Sequence, residues 1–324
     1  MKITDENIGK RADVFVKDEL QKNGLSRTFI AENLGKFFKV NGKETKPSYK
    51  FKKGDSYDID YEKVESLISD LTKGESLLAQ TGNLDIVYED ENCLVINKES
   101  GVVVHPGSGN QEHTLANYVK GYLEAKGEFD SKVKRGGVVH RLDKGVSGLI
   151  LFAKNEKAQK YFQNQFEKHL VQKVYYAQIE YNQKNNSPLL PYIPKTNLNL
   201  KDEIDSLKKN KFICNDQWIK VEGYVKRSEV NRMKMKFTKY FNGKAKYSIT
   251  YIKHISESEL IIKIETGRMH QIRAVLEYFG VNIKGDTLYS TKAGKGGIPE
   301  KICLTSILLS VENLDGNILT VSLV

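Results

Sequence analysis

The sequence predicts an α+β protein in two parts. Short apolar runs of strand type outnumber the helical stretches, and they follow no regular strand–helix–strand alternation. A lysine-rich opening, residues 1–63, differs in texture from everything after it. At 324 residues, with 39% hydrophobic and 28% charged side chains, the chain is long enough for two cores and too apolar for disorder.

The opening begins with apolar residues at helical spacing from Arg11 to Leu34, broken at Asn23-Gly24, with Ser26 placed to cap a second helix. Phe37, Val40, Tyr49, Phe51, Tyr57 and Ile59 then fall in short stretches between the turn signals Asn41-Gly42, Pro47 and Gly54-Asp55, which predicts small strands. From Lys36 to Lys53 stand seven lysines against one acid, Glu44. Lysines such as Lys39 and Lys43 on stiff turns suit a phosphate backbone, although a solvated charged face fits the composition equally well. A polar stretch around Ser69–Asn83 reads as a linker, so that residues 64–83 separate the opening from a main domain over 84–324.

In the main domain, strand-type runs occur at 86–88, 94–96, 102–104, 149–153, 219–225, 247–252, 260–264, 302–309 and 318–324. Helical spacing occurs at 115–126, 156–169 and 269–279. Residues 182–215 carry Pro188, Pro191 and Pro194 with many Asn and Lys, and read as an insertion or long loop.

Lys and Arg exceed Asp and Glu by 51 to 41, giving +10 and a surface that attracts polyanions, nucleic acid first. No run of eighteen apolar residues exists and the start, MKITDENIGK, is charged, so the expectation is a cytoplasmic protein with no membrane partner. Cys93, Cys214 and Cys303 lie far apart and read as reduced residues. The six histidines show no metal-ligand spacing, and no phosphate-loop or dinucleotide signature occurs. Neither a metal nor a cofactor is expected.

Two polar segments remain. Val138–Gly148 (VVHRLDKGVSG) sets Asp143 in a turn beside an apolar run, at the edge of a core where a carboxylate can be tuned by its surroundings. A turn aspartate that only braces its own backbone is the common alternative. Thr266–Arg273 (TGRMHQIR) gathers polar groups where a strand meets a helix and free backbone N–H groups converge.

These segments resemble the signature motifs of the RluA family of pseudouridine synthases: His140–Lys154 the first, Thr266–Arg273 the second, with Gly285-Asp286 and Tyr289 after it. Tyr88–Asp90, Ile96–Lys98, His105–Gly107 and Lys173–Ala177 resemble further blocks. Leu25-Ser26-Arg27 and Val40–Lys43 resemble the small S-four-like RNA-binding domain. The resemblance spans nearly the whole chain. Glu99, Gly136, Gly145, Met269 and Leu304-Thr305-Ser306 depart from the family's usual residues, and these departures bear on substrate choice.

What the resemblance implies is a cofactor-free isomerase that converts uridine to pseudouridine in RNA, large-subunit ribosomal RNA ahead of transfer RNA, acting as a monomer. The implied fold is a catalytic domain on a long, bent, mostly antiparallel mixed sheet with flanking helices, preceded by a small α/β RNA-binding domain. Asp143 becomes the catalytic carboxylate, Arg273 its ionic partner and Tyr175 the ring that packs on the target base. Arg141 helps to extrude the uridine, which costs a few kcal/mol. Ile272, Lys173, Arg27, Lys39 and Lys43 complete the implied substrate-binding set, while His140 and His270 fit packing or hydrogen-bonding roles. A non-catalytic RNA-binding assembly factor on the same fold is the competing reading.

Overall fold

In a computed structural model, which describes residues 1–20, 25, 27–74, 77–107, 109–181, 198–209, 217–290 and 301–324, the chain divides into two units, Met1–Ser76 and Leu77–Val324. Ser26, Asn23 and Gly24, expected to end one helix and cap the next, lie outside the described residues.

The first unit packs α1 (Ala12–Glu19) and α2 (Arg27–Phe37) on a three-stranded antiparallel sheet, ordered β2 (Lys43–Glu44), β1 (Phe38–Val40), β3 (Tyr57–Ile59), and ends in α3 (Tyr61–Gly74). Ala12, Phe15 and Val16 from α1, and Ile30, Leu34 and Phe37 from α2, recur at the three- and four-residue steps that put side chains on one helix face. They close around Phe38, Val40 and Phe51, with the rings of Phe15 and Phe51 edge to face at 5.0 Å. Asn41 and Gly42 both take positive φ, 51° and 74°, the pair of left-handed residues that a two-residue hairpin turn demands. Strand alternation buries Phe38 and Val40, leaving Lys39 exposed between them, and Lys43 is exposed just past the turn. Arg27 is differently placed, donating to the buried Asp13 at 2.9 Å, where Arg11 also binds at 3.0 Å.

The stretch read as a linker, 64–83, contains the boundary between the two units. Its first part is α3, held by Val64 and Leu67 against the first core. Its last part belongs to the second unit, where the Leu77 and Leu78 carbonyls accept from Lys120 Nζ (2.6 Å) and Asn117 Nδ2 (2.8 Å). Polar composition concealed an amphipathic helix.

The second unit is α+β. In chain order it runs β4 (Ile86–Glu89), β5 (Cys93–Lys98), α4 (Leu115–Ala125), β6 (Ser147–Ala153), α5 (Glu156–Glu167), β7 (Gln172–Tyr181), α6 (Leu200–Lys209), β8 (Ile219–Arg227), β9 (Met235–Thr238), β10 (Lys246–Ser256), β11 (Glu259–Ile264), α7 (Gln271–Tyr278), β12 (Val281–Ile283), β13 (Leu304–Glu312) and β14 (Ile318–Ser322). The strands form one sheet, β4-β5-β6-β13-β7-β11-β10-β8-β9, with β12 on β7 and β14 on β13. Among the described residues every pairing is antiparallel except β6 with β13. One face carries α4, α7 and the larger core, among them Ile150, Ile262, Val275 and Leu276.

Two expected elements differ. Val102–Val104 is not a strand. The Val103 and Val104 carbonyls instead accept from the first backbone amides of α4, Leu115 N (2.8 Å) and Ala116 N (2.9 Å), satisfying donors that a helix start leaves open. Of the expected insertion 182–215, the described part includes α6, whose Ile204 is fully buried; 182–197 and 210–216 lie outside the described residues. Among the described residues no helix is long and apolar enough to cross a membrane.

Candidate active site

The parallel junction of β6 with β13 positions the site. Gly148 on β6 pairs with Ser306 on β13, and Ser306 pairs on its other side with Tyr175 on β7. Backbones meet there so closely that a Cβ on Gly148 would lie 2.2 Å from the Ser306 oxygen, and φ at Gly148 is +104°. Only glycine fits. The row Gly148–Ser306–Tyr175 therefore brings the turn that precedes β6, which holds Asp143, over the Tyr175 ring. Along β7, Lys173 and Tyr175 share the face toward the larger core, while Val174 and Tyr176 point to the opposite layer.

The Asp143 turn is pinned from below. Val146 N donates to the Asp143 carbonyl at 3.0 Å. The Lys144 carbonyl accepts from Gly101 N (2.8 Å) and Lys98 Nζ (3.3 Å), and the Gly145 carbonyl from Ser100 Oγ (2.7 Å). Lys98 is 1% exposed and also donates to the Glu99 and Val102 carbonyls. Burial brings its pKa down to about 8, although the Asp143 charge pulls the other way. His140 Nε2 accepts the Leu151 amide at 2.9 Å while its ring stacks on Phe166 at 4.3 Å. Burial, helped by Lys173, holds this imidazole down to about 3, so it is a neutral acceptor that fixes the turn.

The opposite wall comes from the start of α7. His270 takes left-handed φ/ψ (50°, 25°) at the helix cap, a conformation costing about 1–2 kcal/mol for a residue with a Cβ. Burial of Ile272, Val275 and Leu276, each worth about 1.5–3 kcal/mol, outweighs that cost. Gln271 locks the segment: its Oε1 accepts from Thr266 Oγ1 (2.7 Å) and Arg268 N (3.0 Å), and its Nε2 donates to Ile249 O (3.0 Å) and Thr250 Oγ1 (2.9 Å).

Arg273 then projects across the cleft. Its Nε and Nη2 hold Asp286 at 2.7 and 2.9 Å, and its Nη1 reaches Asp143 Oδ2 at 3.3 Å. Burial works against the guanidinium charge, but Asp286 and then Asp143 more than offset it and hold the pKa above its ordinary value. Asp286, 1% exposed, also accepts from the amides of Leu288 and Tyr289. Arg273 lies over the Tyr289 ring at 4.7 Å; the Tyr289 hydroxyl meets His270 Nδ1 at 3.1 Å, and His270 Nε2 lies 3.7 Å from Asp143 Oδ2. The Tyr175 hydroxyl is pushed upward by burial and then by Asp143, so it stays protonated.

Asp143, Tyr175, Arg273, Arg141, Ile272 and Lys173 all line one cleft of about 700 Å³. Arg141 is exposed at its mouth, with no hydrogen-bonded partner among the described residues. Lys173 is buried, donates to the Glu265 carbonyl at 3.2 Å, and is lowered to about 8 by burial and then by Arg268 and Lys263. Arg27, Lys39 and Lys43 belong to the first unit. Among the described residues no group of His, Cys, Asp or Glu could hold a metal ion.

A family model for RNA pseudouridylate synthase matches residues 92–278, which is more than half of the chain and spans both walls of the cleft. The chain belongs to that family. Curated relatives include ribosomal large subunit pseudouridine synthase D of Zymomonas mobilis, 28% identical over 298 residues that cover 89% of this chain and 79% of that one. An uncharacterized RNA pseudouridine synthase, YlyB, of Bacillus subtilis is also 28% identical, covering 89% and 82%. Among solved structures, human RNA pseudouridylate synthase domain containing 1 superposes with a TM-score of 0.51 at 19% identity, covering 75% of this chain and 85% of that one. That likeness supports the fold alone.

Within this member of the family, three residues do work that sequence reasoning left without a role. Asp286 is the principal partner of Arg273, Lys98 braces the Asp143 turn, and Ser306 pairs with Tyr175 across β13 and β7. Lys98 left a local signal, a lysine just past the apolar run Cys93–Ile96, and Asp286 stood in the Gly285-Asp286 block.

Proposed function

We propose that this RNA pseudouridine synthase, an isomerase by family, acts on large-subunit ribosomal RNA with Asp143 as its catalytic carboxylate. The observation that carries the reading is the placement of Asp143: its Oδ2 lies 3.3 Å from Arg273 Nη1 in the wall of a cleft that Tyr175 also lines. The reaction breaks the bond from ribose C1′ to uracil N1, turns the base, joins C1′ to C5 and releases the C5 proton, while N1 takes up a proton. Nothing is oxidised and no outside group enters. A carboxylate can serve as a covalent nucleophile, at C1′ or at the uracil ring, and a basic group can take the C5 proton. Arg273 keeps Asp143 paired in a site from which much water is excluded, and the neutral Tyr175 ring offers a packing surface to the extruded base.

Substrate holding divides between the units in this reading. The exposed Lys39 and Lys43 of the first unit, which we take to be an S-four-like RNA-binding module, supply phosphate-directed affinity, and Arg27 contributes what its pairing with Asp13 leaves over. Arg141 at the cleft mouth assists extrusion. The ribosomal preference follows from synthase D relatives such as those of Zymomonas mobilis and Borreliella burgdorferi.

The test is pseudouridine mapping on unmodified ribosomal and transfer RNA incubated with the full chain. New sites in large-subunit RNA are the expected result. Sites confined to transfer RNA would overturn the substrate class but keep the chemistry, and RNA binding without any site would favour an assembly factor.

A further inference from the structure

The cleft leaves unused the edge formed by β8, β9 and the start of β10. From Lys220 to Tyr247 the sequence carries nine Lys and Arg against two acids, Glu222 and Glu229. Lys236, Lys239, Lys244 and Lys246 are exposed, with no carboxylate partner among the described residues. Among these cations the rings of Tyr224, Phe241 and Tyr247 form one cluster. Tyr224 on β8 pairs directly with Tyr247 on β10, centroids 5.6 Å apart, and Phe241, between β9 and β10, meets Tyr224 edge to face at 5.5 Å. Phe241 is 66% exposed and Tyr247 42%.

Exposed rings clustered inside a lysine rim point to a partner that is both anionic and flat-faced. Nucleic acid with unpaired bases meets both conditions, because its phosphates satisfy the lysines and its base faces are free to stack. A duplex keeps its base faces inside the helix. Glu222, the acid at the cluster, is covered by the Tyr247 hydroxyl at 2.6 Å and Lys220 at 3.1 Å. The cluster also continues from the cleft. Arg268, which lines the cleft, donates from Nε to the Tyr247 carbonyl at 2.8 Å, and the cleft residue Met269 places Sδ 3.9 Å from Arg227 Nη2. Val221 and Val225 of β8 face the core, so Tyr224 lies on the outer face, reached from the cleft around the Arg268 lip.

We propose that Tyr224, Phe241 and Tyr247 form a stacking platform for unpaired nucleotides flanking the target uridine, with Lys236, Lys239, Lys244 and Lys246 on their phosphates. The inference rests on the RNA-modifying reading of the cleft and assigns the path of the strand outside it.

The experiment uses the full chain as wild type, Phe241→Ala and Phe241→Trp. The probe is a fluorescein-labelled, uridine-containing single-stranded RNA, alone or annealed to its complement. Phe241→Ala is expected to weaken single-strand binding about ten-fold while duplex binding changes less than about two-fold. Phe241→Trp is expected to restore the affinity, and its indole emission, above the background of Trp218, to be quenched as RNA is added. Unchanged single-strand binding in Phe241→Ala, equal losses for both RNA forms, or unquenched emission would overturn the platform. Pseudouridine formation is followed in the same wild-type preparation. Its absence beside intact stacking refutes the enzymatic reading alone, and its presence beside unaffected Phe241→Ala binding refutes the platform alone.

Discussion

Arg273 and Lys173 are both buried cations on the wall of one cleft, yet their charges are held in opposite ways. Arg273 is gripped by two carboxylates, bidentate with Asp286 and single-handed with Asp143, and its pKa is held high. Lys173 has a carbonyl, the Phe166 ring at 5.7 Å and like charges around it, and its pKa falls to about 8. The difference separates two duties. A cation already neutralised by fixed partners organises Asp143, the carboxylate we propose as catalytic; one held at the edge of ionisation by its surroundings gains most when an anion arrives.

The largest effect that breaks this contrast is expected from Asp286→Asn. Removing one partner leaves the Arg273 charge under-compensated in a buried site, at a cost of about 3–5 kcal/mol, and frees Nε and Nη2 to pull Arg273 away from Asp143. Chemical denaturation and single-turnover kinetics should both register it, with turnover reduced on the order of a hundred-fold. Retention of wild-type turnover would mean that Asp286 does not position Arg273.

A smaller effect is expected from Lys173→Met. RNA affinity near pH 7 should fall about ten-fold, while stability stays equal or rises, since a buried unpaired charge gives way to an apolar chain of similar length. The pH dependence sharpens the point. Between about 8, where folded Lys173 and Lys98 titrate, and about 10.4, the ordinary lysine value, the unfolded chain binds more protons. Stability from these two groups therefore rises with pH across that window. RNA affinity should run the other way, falling as Lys173 loses its proton, and Lys173→Met should flatten that fall. Affinity that falls as steeply in Lys173→Met as in wild type would assign the pH dependence elsewhere.

The smallest effect is expected from His140→Phe. The ring stack on Phe166 survives but the Leu151 amide loses its acceptor, for a destabilisation of about 1–3 kcal/mol. Because the imidazole is neutral down to about 3, turnover between pH 6 and 8 should keep its wild-type pH profile. A changed profile would give His140 a part in proton transfer.

Much of the fold was legible because periodicity survives in sequence. The apolar runs at 149–153, 219–225 and 260–264 are strands, and 115–126 and 156–169 differ from α4 and α5 by one or two residues at their ends. One error has a physical cause: Val102–Val104 has strand composition, but the Val103 and Val104 carbonyls are spent on the start of α4. In the site, Asp143 and Arg273 were visible as members of dense polar motifs. The Asp286 pairing was not, because it depends on the chain returning through β12 after α7, and Ser306 reaches Tyr175 only through the pairing of β13 with β7. Contacts made by topology leave no spacing to read.

The most direct measurement is release of tritium from RNA carrying 5-tritiated uridine, since joining C1′ to C5 must expel that hydrogen. Wild-type protein and Asp143→Asn are compared at saturating RNA, with affinity measured on the same samples. If Asp143 is the catalytic carboxylate, the wild type releases tritium and Asp143→Asn binds RNA within about two-fold of wild type yet releases none. Release at the wild-type rate by Asp143→Asn would contradict that assignment.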